Sequence, residues 1–347
     1  MSELSVKRRL RKILGQQIQK IGYKTGLMGI TARLKKHEGA LILMYHSVAD
    51  STLSKWIDPD NHVPADIFEL QMEYLAHKRK VISLEELTAI VRRGNTPPPG
   101  TEVITFDDGY LDNLSVAAPI LEKYQFPATL FLPTGYIDRG EAQWIDQLYS
   151  LFKFRTLHTL SRETAPAESF DLHDPYQFRT LYKMICGELI RSGPEERSVI
   201  LSRLADELQP TSMAPGLTMT WDDVRKLISD YSCFDIGGHT IEHTDLTSVS
   251  AEHAETELRM CRDRIKTETG INADFFSFCY GRTSDSLRRI AEKVGFEAAC
   301  GGGGLDPVVN SRNDLFRLPR IAAPNTMKNF DLKTNYANSG IWRKMNR

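Results

Sequence analysis

Short apolar runs alternating with stretches of helical periodicity constrain this chain more than any other feature. The runs are ALILMY (40–45), EVITF (102–106), ATLFLP (128–133), FDIGG (234–238), FFSFCY (275–280) and FEAAC (296–300). Most are apolar at nearly every position rather than at every second one, so both faces are expected to be buried. Between them lie helix-like stretches at 66–78, 84–93, 113–124, 221–230, 250–268 and 284–294. Ser83 and Ser250 stand where helix caps belong, and Gly270 stands where a helix should stop. Buried strands alternating with amphipathic helices predict an α/β fold with a parallel sheet covered by helices. The stretch from about 139 to 218 breaks this rhythm with helical segments and no clear strand, so it reads as a helical insertion, a lid or substrate-binding subdomain.

The strand ends carry the polar exceptions. LILMY stops at His46, VITF at Asp107 and Asp108, FDIGG at His239, and FSFCY at Gly281. In a parallel α/β barrel every strand C-terminus opens on one face, and that face holds the site. His239 and His243 are four residues apart, and a helical turn would aim both imidazoles one way. One carboxylate with two imidazoles makes a three-ligand metal site with positions left open. The other carboxylate of the Asp pair then stays free as a general base, and the cation relieves their repulsion. Each piece has a plainer reading alone: a capped turn for the Asp pair, two surface histidines, a rim histidine for His46.

Composition removes several function classes. Lys and Arg number 44 against 45 Asp and Glu, a formal net charge of −1, so no basic excess suggests nucleic acid as a partner. No stretch reaches the roughly 18 apolar residues of a membrane span. The five cysteines are scattered and form no CxxC pair, which fits a reducing compartment. A basic N-terminal segment, 1–38, lacks the apolar region of a secretory signal, and the expected location is the cytoplasm. Within residues 1–36, Leu10, Ile13, Leu14, Ile18 and Ile21 recur at helical spacing among ten basic residues. Peripheral contact with an anionic inner-membrane face is one reading of that amphipathic helix; packing on the domain with a solvated basic face is the other.

TFDDGYLDN, HTIEH and FSFCYGR, in that order, resemble the motifs of the polysaccharide deacetylases, the NodB-homology enzymes of carbohydrate esterase family 4. LMYHSV, TWDDVRKL and LPRI extend the similarity over roughly residues 40–323. The resemblance implies a distorted (β/α) barrel spanning 39–326 and removal of an N-acyl group from a sugar; residues 327–347, by their own polar composition, read as a peripheral tail. Carried over by position, it implies a divalent metal on Asp108, His239 and His243, zinc by default with cobalt, nickel or manganese as alternatives. It makes Asp107 the general base, and Tyr280, next to Gly281, the donor of an oxyanion-binding backbone N–H. Two departures stand out. Ser277 and Cys279 replace the arginine and proline common in the third motif, so Arg320 of LPRI is the candidate to orient Asp107, with Arg282 behind it. No histidine follows His253, so His46 is the candidate for the general acid, and the resemblance to the family's YH-containing bacterial subgroup implies a place for it in the site, as proton donor or as substrate contact.

The implied substrate is an acylated sugar of surface polysaccharide or lipopolysaccharide synthesis, lipid-linked if the basic segment meets a membrane. The rival readings are hydrolysis of an N-formyl or non-sugar amide, and a non-catalytic sugar-binding protein on the same fold. The insertion's aromatic residues (Trp144, Tyr149, Phe152, Phe154, Tyr176, Phe178, Tyr182) suit stacking on a sugar and suit a helical core equally. Cys279 beside the site is either oxidation-sensitive or a buried inert thiol.

Overall fold

The computed structural model describes residues 39–50, 52–162, 168–301 and 306–336. The basic segment 1–38, with its membrane reading, lies outside them. No helix among the described residues is long and apolar enough to cross a membrane.

Five parallel pairings build the main sheet. In spatial order, β1 (Ala40–Tyr45) pairs with β3 (Thr101–Asp107), then β4 (Ala128–Leu132), β7 (Phe234–Gly238), β8 (Phe275–Ser277) and β9 (Ala298–Cys300). The two-residue strands β2 (Lys80–Val81) and β11 (Ile321–Ala322) add in parallel to β3 and β1, and β10 (Val308–Val309) pairs antiparallel with β1. The chain just before β11 also reaches the far edge: Leu318 donates its N–H to Ala299 O at 3.0 Å, and Ala323 N–H reaches Met44 O at 2.9 Å. Residues 318–323 thereby join the two ends of the path, and the sheet curls into the distorted barrel expected of it.

Alternate strand residues serve two faces. Ala40, Ile42, Val103, Phe131 and Phe275 pack with α2 (Leu84–Arg92). Leu43, Tyr45, Ile104, Phe106, Leu130 and Leu132 pack instead under α1 (Ala65–Lys78), α3 (Ala118–Tyr124), α8 (Trp221–Asp230), α9 (Ala251–Thr269) and α10 (Asp285–Val294). Ser83 and Ser250 cap α2 and α9 as expected, accepting from Glu86 N–H and His253 N–H, and Gly270 ends α9 in a left-handed turn. Gly237 is required on β7, because a Cβ there would lie 2.6 Å from the Phe131 ring.

Three local expectations change. FFSFCY is strand only over Phe275–Ser277 and then turns through Cys279–Gly281, while FEAAC narrows to Ala298–Cys300. The insertion is not wholly helical. Besides α5 (Trp144–Lys153), α6 (Pro175–Arg191) and α7 (Pro194–Leu208) it carries an antiparallel hairpin, β5 (Thr159–Arg162) with β6 (Glu168–Asp171). The expected polar tail contains α11 (Met327–Tyr336), whose Phe330 is fully buried against Tyr74 of α1. A single apolar residue per turn was too thin a pattern to show that contact.

The insertion has its own apolar core, including Leu148, Leu151, Phe152, Leu181, Ile185, Leu189 and Leu204. Its aromatic residues mostly serve that core: the rings of Phe152, Phe178 and Tyr182 pack at centroid distances of 5.4 to 5.9 Å. Phe154 packs instead on Trp56, and Tyr176 is exposed. Trp144 alone among these aromatics borders the cavity that His46, Asp107 and His239 line.

Candidate active site

Asp107 ends β3 with the parity of Val103 and Thr105, so its side chain continues the face that packs over α2. The backbone then turns left-handed through Asp108 (φ 71°) and Gly109 (φ 62°), which swings the second carboxylate into the same opening. Six non-glycine residues have positive φ among the described residues. Gln125 and Gln209 are helix C-caps, but Asp108, Thr240, His243 and Tyr280 all gather here. A β-branched residue such as Thr240 is a genuine outlier in that region. Strain of roughly 1–3 kcal/mol per residue persists where the surroundings enforce it, commonly at functional sites.

HTIEH departs from the expected helical turn. Its two left-handed residues, Thr240 (φ 63°) and His243 (φ 51°), fold it into a tight loop after β7. The two imidazoles still converge, with ring centroids 4.9 Å apart. His239 Nδ1 lies 2.7 Å from Ser277 O, so that nitrogen carries the proton and Nε2 presents a lone pair. His243 Nδ1 lies 3.0 Å from the Tyr280 hydroxyl. That hydroxyl donates to His243 O at 3.3 Å and accepts from Trp144 Nε1 at 3.2 Å. It is therefore best satisfied by receiving the His243 Nδ1 proton as well, which fixes the second tautomer the same way. Burial lowers the His239 pKa to about 4, against the pull of Asp107, which keeps the ring neutral.

Both Nε2 atoms face Asp108 Oδ1, at 3.6 Å from His239 and 3.2 Å from His243. Asp108 Oδ1 is buried and has no hydrogen-bond partner. Three acceptor atoms thus point at one another with no proton between them, an arrangement that a cation satisfies. The residues present fit the divalent metal that the sequence resemblance implies. His239, His243 and Cys279 also offer ligand atoms within 4.8 Å of one another. The thiol, however, sits behind the ring, 3.9 Å from His239 Nδ1, the nitrogen already spent on Ser277. Asp108 Oδ1 lies on the Nε2 side of both rings, and the Cys279 thiol lies on the Nδ1 side of His239.

Arg320 occupies the segment that closes the barrel, just before β11. Its guanidinium grips Asp107 with both ends, Nη1 to Oδ1 at 2.7 Å and Nη2 to Oδ2 at 2.6 Å. Nη2 also donates to Ser277 Oγ at 2.7 Å. Burial alone would raise the Asp107 carboxyl, but the Arg320 guanidinium, joined by His239 and His46, holds that carboxyl below the ordinary range. The other arginine candidate, Arg282, pairs with Asp245 instead. His46 is part-buried, with Nε2 4.0 Å from Asp108 Oδ2, on the carboxylate edge away from His239 and His243.

Two site-building residues were inside the TFDDGYLDN motif without being singled out. Asp112 accepts from Ser47 Oγ at 2.6 Å and from Val48 N–H at 2.8 Å, and Asn113 Nδ2 donates to His46 O at 2.8 Å. Together they fix the loop that carries His46. Their signal was faint, since acid and amide side chains after a strand ordinarily cap turns.

Asp107, Asp108, His46, His239, His243 and Arg320 line one cavity of about 360 Å³, and Trp144, Ile145 and Ile190 of the insertion form an apolar wall. The size suits a small organic ligand.

The polysaccharide deacetylase family model matches residues 94–180 and 198–299 of this chain. The chain belongs to the polysaccharide deacetylase family. The Bacillus subtilis protein YxkH, named for the same family, is 34% identical over 92 residues, which is 26% of this chain and 30% of that relative's length. Among solved structures, the Streptococcus pyogenes deacetylase PplD in complex with acetate superposes with a TM-score of 0.55, covering 86% of this chain and 99% of that one at 17% identity. IcaB from Ammonifex degensii gives 0.56, covering 88% and 99% at 15% identity. These likenesses establish the deacetylase barrel as the fold.

Proposed function

We propose that this family member is a metal-dependent hydrolase that removes an N-acyl group, N-acetyl by preference, from a sugar in surface polysaccharide or lipopolysaccharide biosynthesis. One observation carries the reading: three buried acceptors, Asp108 Oδ1 and the Nε2 atoms of His239 and His243, converge without a donor. A pure sugar binder has no use for that cluster. The cation it would hold, zinc by ligand type or else cobalt, nickel or manganese, supplies Lewis acidity at the acyl carbonyl.

The chain's own groups divide the remaining work. Asp107, ionised and locked by Arg320, accepts the proton of the attacking water. Arg320 holds that carboxylate in one orientation and balances its buried charge. The Tyr280 backbone N–H would donate to the oxygen that gains charge. His46 would deliver a proton to the departing amine, so that water is consumed and a carboxylic acid and an amino sugar are released. The apolar wall formed by Trp144, Ile145 and Ile190 lowers the water content around these charges. The finer assignment, a lipid-linked sugar handled at the cytoplasmic face, rests on the basic segment 1–36 alone.

The test pairs metal content with acetate and formate release from N-acylated amino sugars. About one metal per chain in the wild type, lost in His239→Ala, is expected. Asp107→Asn and His46→Gln should keep the metal while release falls by roughly 10² or more. A wild-type protein that binds no divalent metal overturns the proposal.

A further inference from the structure

His243 is the ligand that the barrel by itself holds least firmly. His239 still belongs to the sheet, its N–H donating to Leu132 O at 3.0 Å. His243 lies four residues further along, in left-handed backbone, where no strand neighbour fixes it. The start of the loop that carries it receives Thr134 N–H at Thr240 O (3.1 Å) and Gly135 N–H at Ile241 O (2.9 Å) from α4 (Thr134–Arg139), and its middle and end, up to Thr244, are gripped from two further sides. On one, buried Glu257 of α9 accepts from Ile241 N–H at 2.7 Å and from Thr244 Oγ1 at 3.0 Å. On the other, Arg197 of α7 reaches in from the insertion, donating from Nη1 to Glu242 O at 2.7 Å and from Nη2 to His243 O at 3.4 Å.

Arg197 is only 4% exposed, and its Nε is spent on Leu189 O at 2.8 Å. All three guanidinium nitrogens therefore serve main-chain carbonyls. Burying a cation on neutral partners is expensive, and an apolar side chain would fill the same space at less cost. What the cation adds is the position of the His243 backbone. A second arm acts on the ring: Trp144, at the start of α5, donates Nε1 to the Tyr280 hydroxyl, which meets His243 Nδ1. The Arg197 guanidinium lies 5.8 Å from the Trp144 ring centre, so the two arms brace each other.

We propose that the insertion is a positioning element for the metal site, with Arg197 and Trp144 holding His243 so that its Nε2 faces Asp108. The inference rests on the metal reading above. Partners that orient a ligand from behind alter metal affinity by about 10- to 100-fold when removed.

The test uses the full chain loaded with Zn²⁺ or Co²⁺, with dissociation constants from chelator competition and the cobalt absorption spectrum as a readout of ligand geometry. Arg197→Met should weaken zinc by about 10- to 100-fold and change the cobalt spectrum, with a smaller shift for Trp144→Phe. Arg197→Lys, which keeps the charge but not the fork, should fall between Arg197→Met and wild type. Tyr182→Phe is the control, because it cuts a different insertion tether, Tyr182 Oη to Asp58 Oδ2 at 2.7 Å; its zinc affinity should match the wild type. Wild-type affinity and spectrum in folded Arg197→Met and Trp144→Phe overturn the inference while leaving the catalytic reading intact. Equal weakening in Tyr182→Phe overturns it too, since that would be general loosening. If Arg197→Met does not fold, Trp144→Phe decides. A wild type without metal removes both readings.

Discussion

Replacing Arg320 tests the link between barrel closure and chemistry. The guanidinium makes two hydrogen bonds of 2.7 and 2.6 Å to Asp107, a carboxylate only 3% exposed. Arg320→Met leaves that carboxylate buried and unpaired, a loss of about 3–5 kcal/mol for a broken buried pair. Burial is then opposed only by the weaker pulls of His239 and His46, and the Asp107 carboxyl rises, so the base is protonated more of the time. Arg320→Lys keeps the charge but loses the planar fork, for a loss of about 1.5–3 kcal/mol, one charge-assisted hydrogen bond. Urea unfolding of both variants, of Asp107→Asn and of the Arg320→Met/Asp107→Asn double variant gives the coupling directly. Once Asp107 has no charge, Arg320→Met should cost far less, with a coupling of about 2–3 kcal/mol. In the acyl-release assay kcat should fall by roughly 10² or more in Arg320→Met, with KM changing much less. Additive stabilities in the double variant, or wild-type kcat in Arg320→Met, refute the reasoning.

Two further outcomes follow from buried groups. Burial raises the Cys279 thiol well above its ordinary pKa, so iodoacetamide should label it only after unfolding, and Cys279→Ala should retain one metal per chain while Asp108→Asn loses it; the reverse pattern would make the thiol a ligand. Burial also raises Asp146 to about 7, although Tyr110 Oη and Asp58 N–H both donate to it. The folded chain therefore keeps a proton there that the unfolded chain releases near pH 4. The stabilisation is complete below that pH and is lost as pH rises through about 7, about 3 kcal/mol between pH 5 and 8. Asp146→Asn mimics the protonated form, accepting from Asp58 N–H and donating to Tyr110 Oη. Urea unfolding at several pH values should show a flatter profile for it, and an unchanged slope would rule the assignment out.

The legible part of the molecule was the part written locally. Near-continuous apolar runs revealed the parallel sheet, and four strand ends marked the face where His46, Asp107, His239 and Gly281 meet. The Asp pair was readable because repulsion between adjacent charges needs a reason. What stayed hidden depends on contacts distant in sequence or on backbone angles. A spacing of four between histidines signals a helix, yet here left-handed Thr240 and His243 bring the rings together without one. No periodicity reports positive φ in a non-glycine residue. Asp112 and Asn113 were not singled out because their partners, Ser47, Val48 and His46, lie more than sixty positions earlier.

Arg320 shows why the third motif could lose its arginine. Ser277, which stands there, accepts from Arg320 Nη2 at 2.7 Å. A small hydroxyl at the end of β8 thus leaves room for a guanidinium delivered from the opposite edge of the sheet. That edge is close only because residues 318–323 bridge β9 and β1. The charge beside Asp107 is therefore supplied by the final step of barrel closure rather than by a neighbouring strand. Loosening that closure, for example at Leu318, should weaken the hold on Asp107 before it disturbs Asp108, His239 or His243, since the loops that carry those three follow β3 and β7, in the middle of the sheet.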